Sequence, residues 1–130
     1  MSATTPQTNG AVTLLGRILF CPLFIPAGFG KLTALSNTAE YFASKGLPLP
    51  FVTAVIVGLI ELFGGIAILL GFQTRIAAVV LGVFTIGAAL VAHLSPFDQI
   101  NFFKNLAIAG GFFVLALHGA GEYSIDAKRG

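Results

Sequence analysis

Charged residues are scarce in this chain. Seven Lys/Arg and five Asp/Glu make up 9% of its 130 residues, whereas a typical soluble domain is about 25% charged. So few charges cannot cover a water-soluble surface, which argues against a soluble enzyme. The basic residues form no cluster larger than Lys128-Arg129, so nucleic-acid binding has no electrostatic footprint. The single Cys21 excludes an intramolecular disulfide and a thiolate metal cage.

Long apolar runs are what the chain has instead. Its residues are 56% hydrophobic, and about 20 apolar residues suffice for a helix to cross a bilayer. The runs are continuous, which favours helices over the alternating segments of a membrane barrel. We therefore predict an all-α integral membrane domain over residues 11–126, a four-helix bundle running up, down, up, down, with a polar tail at 1–10 and a basic tail at 127–130. Its spans are predicted at 11–30, 50–71, 76–97 and 102–121.

The loops carry the remaining topological signals. Residues 31–49 form the longest loop, and Tyr41 and Phe42 are expected to rest at the membrane interface. Four basic residues lie near span ends on the side of the termini and three on the other side. Because cytoplasmic segments carry more Lys and Arg, this count predicts that both termini are cytoplasmic. These residues are Arg17, Arg75, Lys128 and Arg129 on one side, against Lys31, Lys45 and Lys104 on the other.

Glu61 is the most informative single residue, because it lies near the middle of the second span. A charge there costs roughly 2.5–3.5 kcal/mol or more, so a partner or a function should compensate. Its 4, 3, 4 spacing with small residues predicts that it faces the bundle interior; that face is formed by Ala54, Gly58, Glu61 and Gly65. Two roles of Glu61 remain equally open: it acts as a proton-handling or ligand-binding carboxylate, or it forms a structural ion pair. Arg17 is the first candidate partner and Lys31 the second.

A second polar cluster is expected at the membrane face away from the termini. It consists of Lys31, His93, Lys104 and Asn105, with Asp98 and Asn101 nearby. Such groups could hold an anionic or quinone-like head group. The alternative is interfacial anchoring with Asn101 as a helix cap, which we favour for Lys31 and Lys104 taken alone.

The chain shows no complete redox site of its own. His118 lies fourteen residues beyond Lys104 on the fourth span, about 21 Å along a helix, so it cannot share one haem with His93. There is no cysteine pair and no flavin motif. We therefore expect no cofactor in the chain itself and no metal site, and any electron chemistry would belong to a partner or to a bound quinone.

Several segments together resemble the DoxX family of small four-helix membrane proteins, and in particular its bacterial inner-membrane branch. The resemblance runs from about residue 16 to residue 126, and its segments are GFGKL (28–32), YFASKGLPLP (41–50), ELFGG (61–65), GFQTR (71–75), NFFKN (101–105) and GAGEYSID (119–126). Some family members are subunits of thiosulfate:quinone oxidoreductases, and others associate with redox-defence or thiol-handling enzymes. The positions that match the family pattern are Arg17, Lys31, Glu61, Arg75, Lys104 and Asn105.

Three functions remain open from the sequence. The resemblance implies a non-catalytic inner-membrane subunit of a redox system, with a quinone as one option for its ligand and membrane oxidoreductase subunits as its partners. A small-molecule or proton-coupled transporter would use Glu61 as the titrating group, but four short helices enclose little volume unless the chain forms a homo-oligomer. An assembly factor without a ligand fits the small-residue stripes equally well.

Overall fold

The structure, a computed structural model, describes residues 10–94 and 96–129. Within them the chain is all-α, with the predicted four-helix bundle and two shorter helices. The elements are α1 (Gly10–Thr33), α2 (Leu35–Ser44), α3 (Pro50–Leu70), α4 (Thr74–Ala92), α5 (Gln99–His118) and α6 (Ile125–Arg129). The predicted tail at 1–10 lies outside the described residues except for Gly10, which begins α1. Residues 127–129 of the predicted basic tail belong to α6.

Four helices are long and apolar enough to cross a membrane, namely α1, α3, α4 and α5. Their outer faces carry large apolar side chains such as Leu19, Ile100 and Leu117, which are 68%, 80% and 74% exposed. In water so much exposed apolar surface would be unfavourable, whereas lipid tails would cover it. The predicted membrane bundle is therefore confirmed in its helices and in its outward-facing surface.

Small residues let α1 and α3 pack backbone to backbone. A Cβ atom on Gly28 would collide with the backbone nitrogen of Leu62 and would lie 2.7 Å from the carbonyl oxygen of Gly58. Further along the pair, the Cys21 thiol lies 3.6 Å from the carbonyl oxygen of Gly65. These two contacts fix the antiparallel register of α1 and α3. The structure also buries the predicted α3 face, which consists of Ala54, Gly58, Glu61 and Gly65.

Aromatic and aliphatic side chains fill the core where the four long helices meet. The ring of Phe112 on α5 stacks on Phe20 with centroids 4.0 Å apart and meets Phe24 edge-on at 5.3 Å. Both partners come from α1, so Phe112 joins that helix to the α4–α5 pair. Ile68 and Leu81 complete this core at 0% exposure.

The loop between α4 and α5 differs most from the predicted boundaries. Helix α4 ends at Ala92 rather than near 97, and the chain then turns so that the amide of Asp98 donates to the carbonyl of His93. Helix α5 already begins at Gln99, and its N-cap is Asp98, whose side chain accepts from the amide of Asn101. The expectation that Asn101 caps this helix was wrong, because Asn101 already lies in the first turn.

The long loop between α1 and α3 also contains a helix that the sequence pattern did not predict. Helix α2 covers Leu35–Ser44, and Phe42 is its only buried residue. It lies along the end of the bundle and packs mainly on α3. Through Tyr41 and Phe42, α2 forms one wall of a cavity at this end of the bundle.

Candidate functional site

A cavity of about 520 Å³ opens at the end of the bundle that lies away from the chain termini. All four long helices and α2 contribute to its wall. Much of the wall is apolar, including Leu23, Phe24, Val57, Phe84 and Val91, and its charged or hydrogen-bonding groups include Lys31, Lys45, Glu61, His93, Lys104 and Asn105. A mostly apolar cavity of roughly 300–1,000 Å³ with a few polar groups is typical of a small-molecule site.

An ion pair lies at the inner part of this cavity. Lys31 Nζ is 2.7 Å from Glu61 Oε1, and the two side chains are 27% and 10% exposed. Glu61 lies eleven residues along α3 from Pro50, about 16 Å of helix. The carboxylate is therefore held deep in the span by a cation that reaches it from the end of α1.

The structure corrects the first candidate partner of Glu61. Arg17 does not approach Glu61, whereas Lys31, the second candidate, pairs with it. The reason is the register of α1 against α3. Because Gly28 lies against Leu62 and Gly58, Lys31 comes alongside Glu61. Arg17 lies fourteen residues before Lys31, about 21 Å away along α1.

Arg17 belongs instead to the opposite end of the bundle. It is 1% exposed, and its Nη2 donates to the carbonyl oxygen of Tyr123 at 2.6 Å. Its Nη1 lies beneath Gly71, where any side chain would collide with it. Gly71 has a φ of 70° and ends α3, as its position in the sequence predicted. Arg17 thus ties α1 to the α3–α4 turn and to the C-terminal segment.

Two side chains cap helix ends at this termini face. The Asp126 carboxylate accepts from the backbone amides of Gln73 and Thr74 at 2.7 and 2.8 Å, where α4 begins. Arg75 donates to the carbonyls of Ala116 and Leu117 at the end of α5. A carboxylate at a helix start and a cation at a helix end both complement the helix dipole. Burial raises the pKa of Asp126, but hydrogen bonds from Thr74 and Gln73 outweigh it and hold that pKa below its ordinary value.

The predicted second cluster is brought together in the cavity. Lys31, His93, Lys104 and Asn105 all line it, although they come from three different helices or their ends. The cavity also joins this cluster to Glu61, which the sequence pattern had presented as a separate site.

In the turn between α4 and α5, Asp98 lies close enough to His93 and Lys104 to interact electrostatically. Hydrogen bonds from the side chain and backbone of Asn101 hold the pKa of Asp98 below its ordinary value. His118 lines a different crevice, at the termini face. The two histidines of the chain therefore lie at opposite ends of the bundle.

Two groups in the cavity wall were not predicted, Tyr41 and Lys45. Lys45 follows α2 directly, and its Nζ donates to the carbonyl oxygen of Ala92 at the end of α4, 3.3 Å away. The ammonium also lies 5.8 Å from the centre of the Tyr41 ring. The pattern of residues 35–44 is only a weak signal for a helix carrying Tyr41, because Phe42 is the one buried residue of α2.

This arrangement can bind an amphipathic molecule. The apolar wall fits a ring or short chain, while ammonium, imidazole and amide groups offer hydrogen-bond donors from several sides. Within residues 10–94 and 96–129 no group of three or more His, Cys, Asp or Glu side chains could hold a metal ion. The described cavity wall therefore offers hydrogen-bond donors and one carboxylate, which is paired with Lys31.

Comparison with known proteins decides the family. Residues 12–94 match the DoxX family. The chain belongs to the DoxX family. It is 43% identical to inner membrane protein YqjF of Escherichia coli K12 over 116 residues, covering 87% of this chain and 88% of that protein. Inner membrane protein YphA of the same organism is 38% identical, with 88% of each chain covered.

The name of a third relative includes a functional term. This protein of Bacillus subtilis 168 is named "Putative oxidoreductase CatD" and is 35% identical over 115 residues, covering 88% of this chain and 84% of the relative. No solved structure matches the sequence significantly. Together with the four apolar helices, the relatives show that this DoxX protein is a multi-pass inner membrane protein.

Proposed function

We propose that this DoxX protein is a non-catalytic membrane subunit of a redox system and that it binds a quinone-like molecule in the cavity around Lys31 and Glu61. The observation that carries the proposal is the cavity itself, about 520 Å³ in volume with an apolar wall and convergent donors. A quinone head group has an apolar ring and two carbonyl acceptors, which complement these two features. The name of the relative CatD is consistent with a redox role.

The cavity lies where a membrane-soluble ligand can reach it. It extends from one end of the bundle, at Lys45 and His93, inward to Glu61 within α3. A quinone partitions into the hydrocarbon region, so its ring would find the apolar wall and its carbonyl groups the donors. The electrons would pass to a partner subunit, because binding and positioning are what the cavity side chains can supply.

A second candidate function is proton-coupled transport, which the Lys31–Glu61 pair favours. A carboxylate within a span that lines a cavity can exchange protons when its cation moves away. This function requires Glu61 to be alternately paired and free during a transport cycle. Proton uptake by vesicles containing the purified protein, measured with a pH-sensitive dye, would detect it.

Native co-purification tests the redox proposal. We would extract wild type and the variants Glu61→Gln and Glu40→Gln from their membranes in a mild detergent and identify bound proteins and lipid-soluble molecules by mass spectrometry. Glu40 is an exposed carboxylate of α2 outside the cavity wall, so its variant is the matched control. We expect an oxidoreductase subunit or a quinone with wild type and Glu40→Gln, and loss of the quinone from Glu61→Gln. A homo-oligomer carrying neither would contradict the redox proposal.

We further propose that both termini face the cytoplasm and that the cavity opens towards the opposite side. Four basic residues lie at the termini face against three at the cavity face. Fusion of alkaline phosphatase to the C-terminus should give an inactive enzyme, and fusion of a green fluorescent protein should give fluorescence. Active phosphatase at the C-terminus would contradict this orientation and would indicate the reverse one.

A further inference from the structure

Positive charge is concentrated on one cavity. Three of the four lysines in the chain line its wall. They come from separate elements: Lys31 from α1, Lys45 from the end of α2, and Lys104 from α5. Ordinary interfacial lysines spread around a bundle and turn towards the head groups. Their convergence on one cavity is therefore a feature of the site.

The carboxylates nearby do not balance these cations. Glu61 is the one carboxylate in the described wall, and it pairs with Lys31. Asp98 lies in the turn before α5, where its oxygens already accept from the backbone and side chain of Asn101. Even with Asp98 counted, three lysines face two carboxylates. The imidazole of His93 adds a further hydrogen-bonding group to this wall.

The lysine ammonium groups have more hydrogen-bond donors than these contacts use. Each lysine has three N–H donors. Lys31 is ion-paired with Glu61, and Lys45 uses one donor on the carbonyl of Ala92. Lys45 is half-buried and Lys104 is exposed. Their remaining N–H donors can form charge-assisted hydrogen bonds to an anion bound in the cavity.

We infer that the cavity takes its ligand as an amphipathic anion, an aromatic ring bearing an acidic hydroxyl group, in preference to the neutral ring. This inference rests on the proposed role of the cavity as the ligand site. The ring lies against Phe24 and Phe84, and the oxyanion faces Lys45 and Lys104. Anionic lipid head groups share the negative charge but lack the ring.

A matched pair of probes tests this preference. 2-Hydroxy-1,4-naphthoquinone is an acid, whereas 2-methyl-1,4-naphthoquinone has a similar ring and no acidic group. We would measure the binding of each to the full chain in phosphatidylcholine nanodiscs by equilibrium dialysis with absorbance detection. We expect the hydroxy compound to bind roughly tenfold or more tightly than the methyl compound, and added salt to narrow the difference.

Lysine variants assign the preference to the cavity. Lys45→Gln and Lys104→Gln should each weaken binding of the hydroxy compound several-fold and leave the methyl compound nearly unchanged. Lys128→Gln, at the termini face, is the control and should change neither. Equal losses for both compounds would indicate a damaged cavity and would overturn the charge assignment.

The outcomes separate this inference from the proposed function. If the methyl compound binds as tightly as the hydroxy compound, the anion preference is wrong while the ligand cavity stands. If neither binds, both proposals fail. The measurement is repeated in phosphatidylglycerol nanodiscs: unchanged affinity supports the ring-bearing anion, and competition that abolishes binding would assign the site to lipid head groups instead.

Discussion

Removing Glu61 and removing Lys31 should destabilise the protein by different amounts, although both changes break the same ion pair. At an effective dielectric constant of 20, charges 2.7 Å apart attract by about 6 kcal/mol, and desolvation offsets much of that. Breaking a fully buried pair costs about 3–5 kcal/mol, and a surface pair about 0–1 kcal/mol. Because Lys31 is 27% exposed and Glu61 10%, this pair lies between the two limits.

The two losses of stability differ because the two side chains differ in mobility once the partner is removed. In Glu61→Gln the flexible Lys31 side chain can turn its ammonium towards the membrane face, so we expect a loss of about 1–2 kcal/mol. In Lys31→Met the carboxylate of Glu61 stays within the span, so we expect about 2–4 kcal/mol. The double variant should be less destabilised than the two single losses together, by about 1–3 kcal/mol.

Thermal unfolding in detergent, followed by far-ultraviolet circular dichroism, measures these differences. Glu40→Gln and Lys128→Met are the matched controls, because both residues are exposed and outside the cavity wall. We expect neither control to shift the Tm appreciably. Strictly additive losses in the double variant, or a larger loss from Glu61→Gln than from Lys31→Met, would refute a coupled ion pair whose carboxylate is the less mobile partner.

Further predictions concern packing and capping. Gly28→Ala should destabilise the bundle by about 1–3 kcal/mol, because its Cβ would collide with the backbone nitrogen of Leu62. Gly30→Ala, on the same helix with open space around it, should be neutral or stabilising by up to about 1 kcal/mol. Thermal unfolding of both variants checks this, and equal effects would contradict the close helix contact. Asp126→Asn should cost about 1 kcal/mol at neutral pH. The pKa of Asp126 is lowered from its ordinary value of 3.8, so its contribution is present above that value and is lost as pH falls through the lowered pKa. Unfolding followed from pH 7 to pH 3 should therefore show a smaller acid-dependent loss in the variant than in wild type, and parallel losses would contradict the capping role.

The helices and the inward face of α3 could be predicted from the sequence. Four apolar runs can only be spans in a chain with so few charges, and spacings of 4, 3, 4 put small residues and Glu61 on one stripe. The glycine that ends α3 was also evident, because Gly71 breaks the apolar run and is followed by a polar turn. These features depend on local pattern alone.

The partner of Glu61 could not be predicted, because it depends on how two helices are displaced along each other. The depths of the side chains in the membrane, counted in residues from the span ends, favoured Arg17 as the nearest cation to Glu61. In the structure the contact of Gly28 with Gly58 and Leu62 sets the register and brings Lys31 to Glu61 instead. Spacing within one helix carries no information on that displacement.

Helix α2 was missed for a related reason. With one buried residue, Phe42, its pattern is too weak to separate from a loop. Its position matters only once α3 and α4 are in place, because Tyr41 and Lys45 then complete the cavity wall. The second cluster of Lys31, His93, Lys104 and Asn105 was predicted as a membrane-face group, and its union with Glu61 depends on the three-dimensional packing.

Photoaffinity labelling tests the central claim most directly, namely that the cavity is a ligand site. A photoreactive azidoquinone would be activated with wild type, Lys31→Met and Lys128→Met in native membranes, and the labelled residues mapped by mass spectrometry. We predict labelling in wild type and Lys128→Met on the cavity wall, at residues such as Phe24, Val57 or Phe84, and much weaker labelling there in Lys31→Met. Labelling spread over the lipid-facing surfaces, with the same pattern in all three proteins, would contradict the claim.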